Sequence, residues 1–338
     1  MSSFPEITAL PPLKFVPVYK ERPWGGTLMS ELLKRETPAE LKIGEAWELS
    51  DRPGADTPVA EGPLAGTTLS ELVSHYGRGF IGSKALDASR FPLLIKLIDA
   101  GERLSLQVHP DERICREFAD GSEPKTEMWY VIAARKGARI MAGLSPKATK
   151  LQFQEKVNSP DIEELLQCHR SVPGDAYFIT AGVLHAIGGG NLLLEIQQNS
   201  DTTYRLSDWG RLDKDGKSRE LHLEKGLIAT DFFNRNTPRI PGVTGQTGFN
   251  RKYSLVSKSQ FFRVSELRLV SQWRDDTTPD GSFHLISAIN GAVAIEGESP
   301  ELRCELEIGR SGLVPAAFGR YKIIPLEDGE TTVLKTTL

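Results

Sequence analysis

Between residues 91 and 198 the chain is a succession of short runs: FPLLIKLI, RLSLQVH, EMWYVIA, ARIMAGL, DAYFIT and LLLEIQQ. Each has the length of a β-strand and is too short for an ordinary helix. A second set begins near residue 250, and 31 glycines and 21 prolines punctuate the whole. Pro and Gly cannot sit inside helices without penalty, so this spacing favours a β-sandwich or barrel over a helical or βα-alternating fold. Helical patterning is confined to patches. TLSELVSHYGRGFIGSKAL opens on a Thr/Ser cap signal, with Leu69, Leu72 and Val73 at helical spacing, and predicts one or two short helices over 68–88. ATKLQFQEKVNSPDIEELLQC predicts two more over 148–168.

One of the strand-like runs carries an unusual face. In LSLQVHPDE, period-two alternation sets Leu104, Leu106 and Val108 on one side and Ser105, Gln107 and His109 on the other. A polar edge facing water would account for that pattern in isolation. Other residues nearby in the chain supply partners: Lys125 and Glu127 on the next run, then His185, then Glu195, Asp201 and Arg205. Gln107, His109, Glu127 and His185 are nitrogen and oxygen donors that a β-sandwich or barrel could bring together from different strands. Two imidazoles, a carboxylate and an amide oxygen suit a borderline divalent ion such as Zn²⁺, and iron and manganese accept the same donors.

Composition excludes several classes of partner. A formal charge of −4 and a pI near 6.0 leave no basic stripe for nucleic acid and no polybasic membrane anchor. No window is apolar enough to span a bilayer, and the N-terminal residues lack the pattern of a secretory signal, so the expected location is cytoplasmic. Cys115, Cys168 and Cys304 form neither a CxxC nor a CxxH pair, which argues against a disulfide framework or thiolate zinc site. The triple glycine 188–190 lacks a strand-to-helix dinucleotide context and predicts a tight turn after His185. Cys168 and His169 are adjacent and so do not face each other as nucleophile and base. His75, His222 and His284 have no ligand-like company in the sequence, and Trp24 in RPWGG either caps a barrel mouth or packs the N-terminal arm.

The second set of runs weakly repeats the first. VPGDAYFITAGVLHAI lines up with EIGRSGLVPAAFGRYKI when Gly174 is laid on Gly309, which sets His185 against Arg320; EMWYVIAARKGARIMAG likewise resembles FHLISAINGAVAIEG. The expected organisation is a catalytic metal-binding domain over 1–235 with helical additions, a linker over 236–248 rich in Pro, Gly and Thr, and a degenerate C-terminal β-domain over 249–338.

GERLSLQVH and GDAYFITAGVLH resemble the two motifs of the cupin jelly rolls, with Gln in place of the first His and Thr in place of Pro. RPWGG, GEAWELSD, FPLLIKLIDAGERLSLQVHPDE, KTEMWYVI and GDAYFITAGVLHAIGGGNLLLEIQQNSDTTYRLSDWGR, in that order over about 20–211, resemble the type I mannose-6-phosphate isomerases in their short bacterial form. The resemblance implies a mainly β chain of two cupin-type jelly-roll barrels with a few short helices added to the first. It implies one Zn²⁺ per chain held by Gln107, His109, Glu127 and His185. It sets the family's active-site arginine on Arg205, with Lys125, Glu195 and Asp201 beside it and Ser105, Lys96 and Glu45 in the substrate cleft. Ser207 departs from the aromatic residue often found at that place in the family.

The implied reaction interconverts mannose 6-phosphate and fructose 6-phosphate through a cis-enediol, by a monomer or weak homodimer. Glu195, Asp201, Lys125 and a water on the metal are the candidates for the proton-moving base. Two other readings of the same residues are a sugar-phosphate sensor that binds without turnover and an iron-dependent oxygenase. The four ligands together with Lys125 and Arg205 speak against the first, and the phosphate-suited cations and Gln107 against the second.

Overall fold

The computed structural model describes residues 4–7, 10–38, 40–157, 159–212, 215–242 and 248–338. The chain is mainly β and divides into two compact units that are discontinuous in sequence. One comprises Tyr19–Ala46 and Lys96–Gly242; the other comprises Met1–Val18, Trp47–Ile95 and Val243–Leu338. Neither unit is a continuous stretch such as the expected 1–235, and residues 243–247 of the expected linker lie outside the described residues. The segments before 18 and over 47–95 group with the C-terminal strands: Leu13 pairs opposite Leu313.

In the first unit a five-stranded sheet has the order Tyr204–Ser207, Leu106–Val108, His185–Ile187, Arg139–Leu144, Leu166–Arg170. A larger sheet runs Arg239–Ile240, Ala176–Ile179, Glu127–Ala134, Asn191–Gln198, Leu93–Ala100, Ile43–Leu49, Val18–Glu21, and its last three strands contain the points where the chain passes between units. Most neighbours in both sheets are non-consecutive in the chain, the signature of jelly-roll winding. Ile98, Trp129, Val131, Tyr177, Ile179 and Leu193 of the larger sheet pack with Ile140, Ala142 and Ile187 of the smaller. The outer face of the smaller sheet, Leu106, Val108, Met141 and Ala186 among others, is covered by Ile114, Phe153, Ile162 and Ala229 from helical segments.

Gln107 therefore points inward and Leu106 and Val108 outward, as alternation predicts. Leu104 does not follow: pairing begins at Leu106, and Leu104 packs in the inner core with Trp24 and Trp129. Helices form at Leu69–Tyr76 and Lys150–Lys156, each started by a reciprocal capping box, Thr68 with Glu71 and Thr149 with Gln152. Arg78–Ile81 adds a further turn, and Pro160–Leu165 is 3₁₀. The expected helix does not extend to Cys168, because Leu166–Arg170 pairs with Arg139–Leu144 instead.

In the other unit, a six-stranded sheet has the order Leu13–Lys14, Ser311–Val314, His284–Asn290, Thr331–Thr337, Arg263–Leu269, Arg251–Val256; a four-stranded sheet has Trp273–Asp276, Arg320–Pro325, Val293–Glu296, Arg303–Leu306. Leu267, Ile286, Val293, Ile295, Ile323 and Val333 from the two sheets share one core. Among the described residues no helix is long and apolar enough to cross a membrane.

Candidate metal centre and its cleft

Three neighbouring strands put functional side chains in one row. Gln107 is directly opposite His185 on one side and Arg205 on the other. Directly opposed residues point to the same face with their Cβ atoms about 5 Å apart, so an amide lies between an imidazole and a guanidinium. The larger sheet supplies the facing wall. Glu127 begins its strand, and Trp129, two residues on and hence on the same face, is registered opposite Glu195. His109 follows the Gln107 strand and is anchored there by its Nδ1, 2.9 Å from the Thr202 carbonyl oxygen.

His185 is anchored in the same manner, Nδ1 to the Val183 carbonyl at 2.8 Å. A carbonyl oxygen only accepts, so each Nδ1 carries the proton and donates it, and in the neutral ring Nε2 is left as a lone pair. Both rings are neutral. Burial pushes His109 down to about 4, with the Lys125 ammonium reinforcing the shift, and burial also lowers His185. The two Nε2 lone pairs converge on Glu127, at 3.4 Å from Oε2 for His109 and 3.5 Å from Oε1 for His185. Burial favours the neutral form of Glu127, but Lys125 overrides it and holds the carboxyl well below the usual range; Lys125 Nζ lies 2.8 Å from Oε2.

His109 Nε2, His185 Nε2 and Glu127 Oε1 are buried acceptors with no hydrogen bond, and Lys125 reaches only the other Glu127 oxygen. Acceptors turned toward one another repel unless a cation lies among them, and their ligand atoms all fall within 4.8 Å of one another. The group has the nitrogen and oxygen donors and the spread that a divalent ion requires, and the inward-facing Gln107 is placed to add an amide oxygen.

A cavity of about 440 Å³ opens beside this group, lined among others by Ser105, Gln107, Lys125 and Arg205. Lys96, Glu195, Asp201 and Glu45 also line it, so every cleft and catalytic residue expected from sequence is on its wall. Glu195 is held on both sides: Trp129 Nε1 donates to Oε2 at 2.9 Å, and Lys96 Nζ lies 3.3 Å from Oε1 and 4.0 Å from Asp201. Arg205 donates from Nη1 to the Glu220 carbonyl at 2.8 Å, and its buried Nε makes no hydrogen bond. The wall also contains residues that the sequence did not single out. Arg22 grips Glu45 through Nε and Nη2, each at 3.0 Å; Arg219 is bound to Asp208; Thr203 stands between Asp201 and Arg205. Trp129 was legible in principle, since alternation from Glu127 turns it inward.

The RPWGG run positions the rim. Trp24 is buried, packs in the inner core and lines the cavity. Its glycines are needed because a Cβ at Gly25 would come 2.5 Å from the Lys42 carbonyl oxygen, and one at Gly26 would run into Asp99 Oδ1. Asp99 in turn accepts from the Met29 backbone N–H at 2.6 Å, capping the helix Leu28–Leu33. The triple glycine after His185 does form a turn, with Gly190 at φ 82°. His222 Nδ1 accepts from the Arg205 N–H, away from any ligand set. His284 departs from expectation: Asp280, four residues before it, and Asp275 on the Trp273–Asp276 strand lie beside it.

Residues 13–137 match the family described as "Phosphomannose isomerase type I, catalytic domain". Mannose-6-phosphate isomerase ManA of Bacillus subtilis (strain 168) is 42% identical over 317 residues, covering 92% of this chain and 95% of the relative. The crystal structure of a mannose 6-phosphate isomerase from Bacillus subtilis superposes with a TM-score of 0.83 at 34% identity, over 97% of this chain and 99% of the other. A phosphomannose isomerase variant from Salmonella typhimurium shares the fold, with a TM-score of 0.77 at 15% identity over 97% of this chain and 100% of its own.

Proposed function

The chain belongs to the type I mannose-6-phosphate isomerases, and from that membership we propose that it interconverts mannose 6-phosphate and fructose 6-phosphate through a cis-enediol, using one Zn²⁺ held by His109, Glu127, His185 and Gln107. The observation that carries the reading is the convergence of two imidazole lone pairs and a carboxylate, all buried, at one end of a cationic cleft. Zinc bound there would supply Lewis acidity toward the oxygens of C1 and C2. The reading assigns the chemistry to the unit made of 19–46 and 96–242.

Arg205 projects from the same row as Gln107 and His185, so its fixed charge lies beside the ligand group where enediolate charge would develop. Lys125 is buried, and the carboxylates around it raise it above an ordinary lysine despite that burial; it therefore acts as a charge rather than as a base. Glu195 has both oxygens engaged by Trp129 and Lys96, which suits orientation of Lys96 and the sugar hydroxyls. Asp201 is the half-exposed carboxylate of the cleft, and the reading gives it the proton transfer between C1 and C2. Ser105 and Lys96 offer hydroxyl and ammonium donors to the open-chain sugar phosphate, and the Arg22–Glu45 pair shapes the entrance.

The test is a coupled assay with mannose 6-phosphate on the purified chain, before and after chelation and after zinc is returned. Turnover is expected to vanish on chelation, to return with zinc, and to be lost in His185→Ala. Undiminished turnover in the chelated protein, or tight binding of the sugar phosphate without turnover in the zinc-loaded one, would refute it.

A further inference from the structure

The two jelly rolls can be matched strand for strand. Tyr204–Ser207 aside, the order Leu106–Val108, His185–Ile187, Arg139–Leu144, Leu166–Arg170 is reproduced by Trp273–Asp276, Arg320–Pro325, Val293–Glu296, Arg303–Leu306. Likewise Ala176–Ile179, Glu127–Ala134, Asn191–Gln198 and Leu93–Ala100 correspond to Ser311–Val314, His284–Asn290, Thr331–Thr337 and Arg263–Leu269. Pairing then fixes equivalent residues. Gln107 lies opposite His185, and Asp275 lies opposite Tyr321. Glu127 and His284 each begin a strand; two residues on, Trp129 is opposite Glu195 and Ile286 is opposite Lys335. The sequence repeat that set His185 on Arg320 is thus one residue short. Tyr321 is the inward-facing equivalent, packing in the core with Ile323.

The positions of Gln107, Glu127, His185 and Glu195 are accordingly filled by Asp275, His284, Tyr321 and Lys335. These residues also converge, and Asp280 joins them. Lys335 is 6% exposed, and its Nζ lies 2.8 Å from Asp275 Oδ2 and 3.2 Å from Asp280 Oδ2. His284 Nε2 is 2.7 Å from the same Asp280 oxygen, and its Nδ1 is 2.7 Å from the Tyr321 hydroxyl. Ligand atoms of Asp275, Asp280 and His284 fall within 4.8 Å of one another, the same span as in the first unit. The difference is where the ammonium sits and what it leaves open. In the first unit Lys125 touches one oxygen of Glu127, and the two converging imidazole Nε2 atoms make no hydrogen bond; here Lys335 bridges both carboxylates, and both nitrogens of His284 are engaged.

We propose that the C-terminal jelly roll retains a metal-type site whose cation is the chain's own Lys335 ammonium, so that this unit takes no divalent ion until that ammonium is removed. Two carboxylates and one imidazole are a donor set for first-row divalent metals such as Zn²⁺ or Co²⁺. A covalently tethered ammonium competes at a high local concentration and, being buried, leaves the carboxylates satisfied without an exogenous ion. The inference goes beyond the isomerase reading and concerns only residues outside the catalytic cleft.

The test is Co²⁺ titration and elemental metal analysis on the full chain. The background is His109→Ala/His185→Ala, which removes the first site from the count whether or not that site is a zinc centre. With Lys335 intact this background is expected to hold no ion. Adding Lys335→Met is expected to create one Co²⁺ per chain, with at least tenfold tighter binding, and Asp275→Asn is expected to abolish the gain. Lys335→Arg, which keeps a cation, is expected to bind none. Lys335→Met alone is expected to keep full mannose 6-phosphate turnover. If Lys335→Met folds only when Co²⁺ is supplied, the proposal stands. It is overturned if Lys335→Met is folded yet gains no ion, if it is unfolded with and without Co²⁺, or if the Lys335 background already holds an ion that Asp275→Asn removes.

Discussion

Asp99 offers a quantitative test of how the segment around RPWGG is held. Its side chain is fully buried; Oδ2 accepts the Met29 N–H, and Oδ1 has no hydrogen-bond partner. Burial pushes its carboxyl up from the ordinary 3.8 to about 6, against the lowering effect of the Met29 and Leu28 backbone N–H groups. The sign follows directly. Folded protein holds this proton more tightly than unfolded chain, so the contribution is fully present below about pH 4 and is lost as pH rises through about 6. That rise corresponds to about 3 kcal/mol of charge penalty at pH 8. Asp99→Asn removes the charge and keeps an acceptor for Met29, but it places an amide NH₂ where Oδ1 finds no partner, which costs about 1 kcal/mol or more. The variant is therefore expected to be about 1–2 kcal/mol more stable than the native chain at pH 8. At pH 4 it is expected to be equal or slightly less stable. Urea unfolding of both proteins from pH 4 to 8 measures the difference, in which all other titrating groups cancel. Parallel curves, or an Asn variant less stable at every pH, would refute the burial argument, as would a carbon-13 titration placing Asp99 near 4.

Arg205→Lys should lower kcat/KM by about a hundredfold with metal content unchanged, because an ammonium cannot reproduce the guanidinium's reach and fixed geometry. Steady-state kinetics with elemental analysis checks both halves. Trp129→Phe removes the Nε1 donor to buried Glu195 and should destabilise the fold by about 2 kcal/mol, measured by denaturant unfolding. Glu45→Gln weakens the two-pronged grip on Arg22 at the cavity rim and should raise KM several-fold while leaving kcat within about twofold. Thr68→Ala breaks a capping box outside the unit that carries the metal group, and should cost about 1 kcal/mol of stability with no effect on turnover.

Local signals were most reliable where the interaction they report is itself local. Both capping boxes link residues three apart, and the one at Thr68 forms where the sequence carries its Thr/Ser cap signal. Strand runs appear within one or two residues of expectation at Glu127–Ala134, Arg139–Leu144 and Ala176–Ile179. The helix Glu112–Phe118 was overlooked although Asp111 caps it through the Ile114 N–H at 2.7 Å, a signal hidden inside the PDE of LSLQVHPDE. The helix Leu28–Leu33 could not be found locally: Thr27 makes no side-chain cap, and the capping carboxylate comes from Asp99, some 70 residues along the chain. Leu166–Cys168 was assigned to a helix by its period, and sheet pairing with Leu144 and Met141 outweighed that weak preference.

By itself the sequence determined that the chain is mainly β, that Gln107 and His109 belong to a chemically loaded face, and that Glu127 and His185 share their surroundings. The first two conclusions rest on run length and alternation, which the backbone expresses directly, and the third on the resemblance to the family. Tertiary structure decided what no spacing encodes. Carbonyls of Thr202 and Val183 fix which imidazole nitrogen faces Glu127, and Trp129 and Lys96 fix Glu195. It also decided that Lys335 stands among Asp275, Asp280 and His284, a set assembled by pairing between strands some 50 residues apart. Register between distant strands depends on how whole faces pack, and a one-residue change in it turns every side chain to the opposite side.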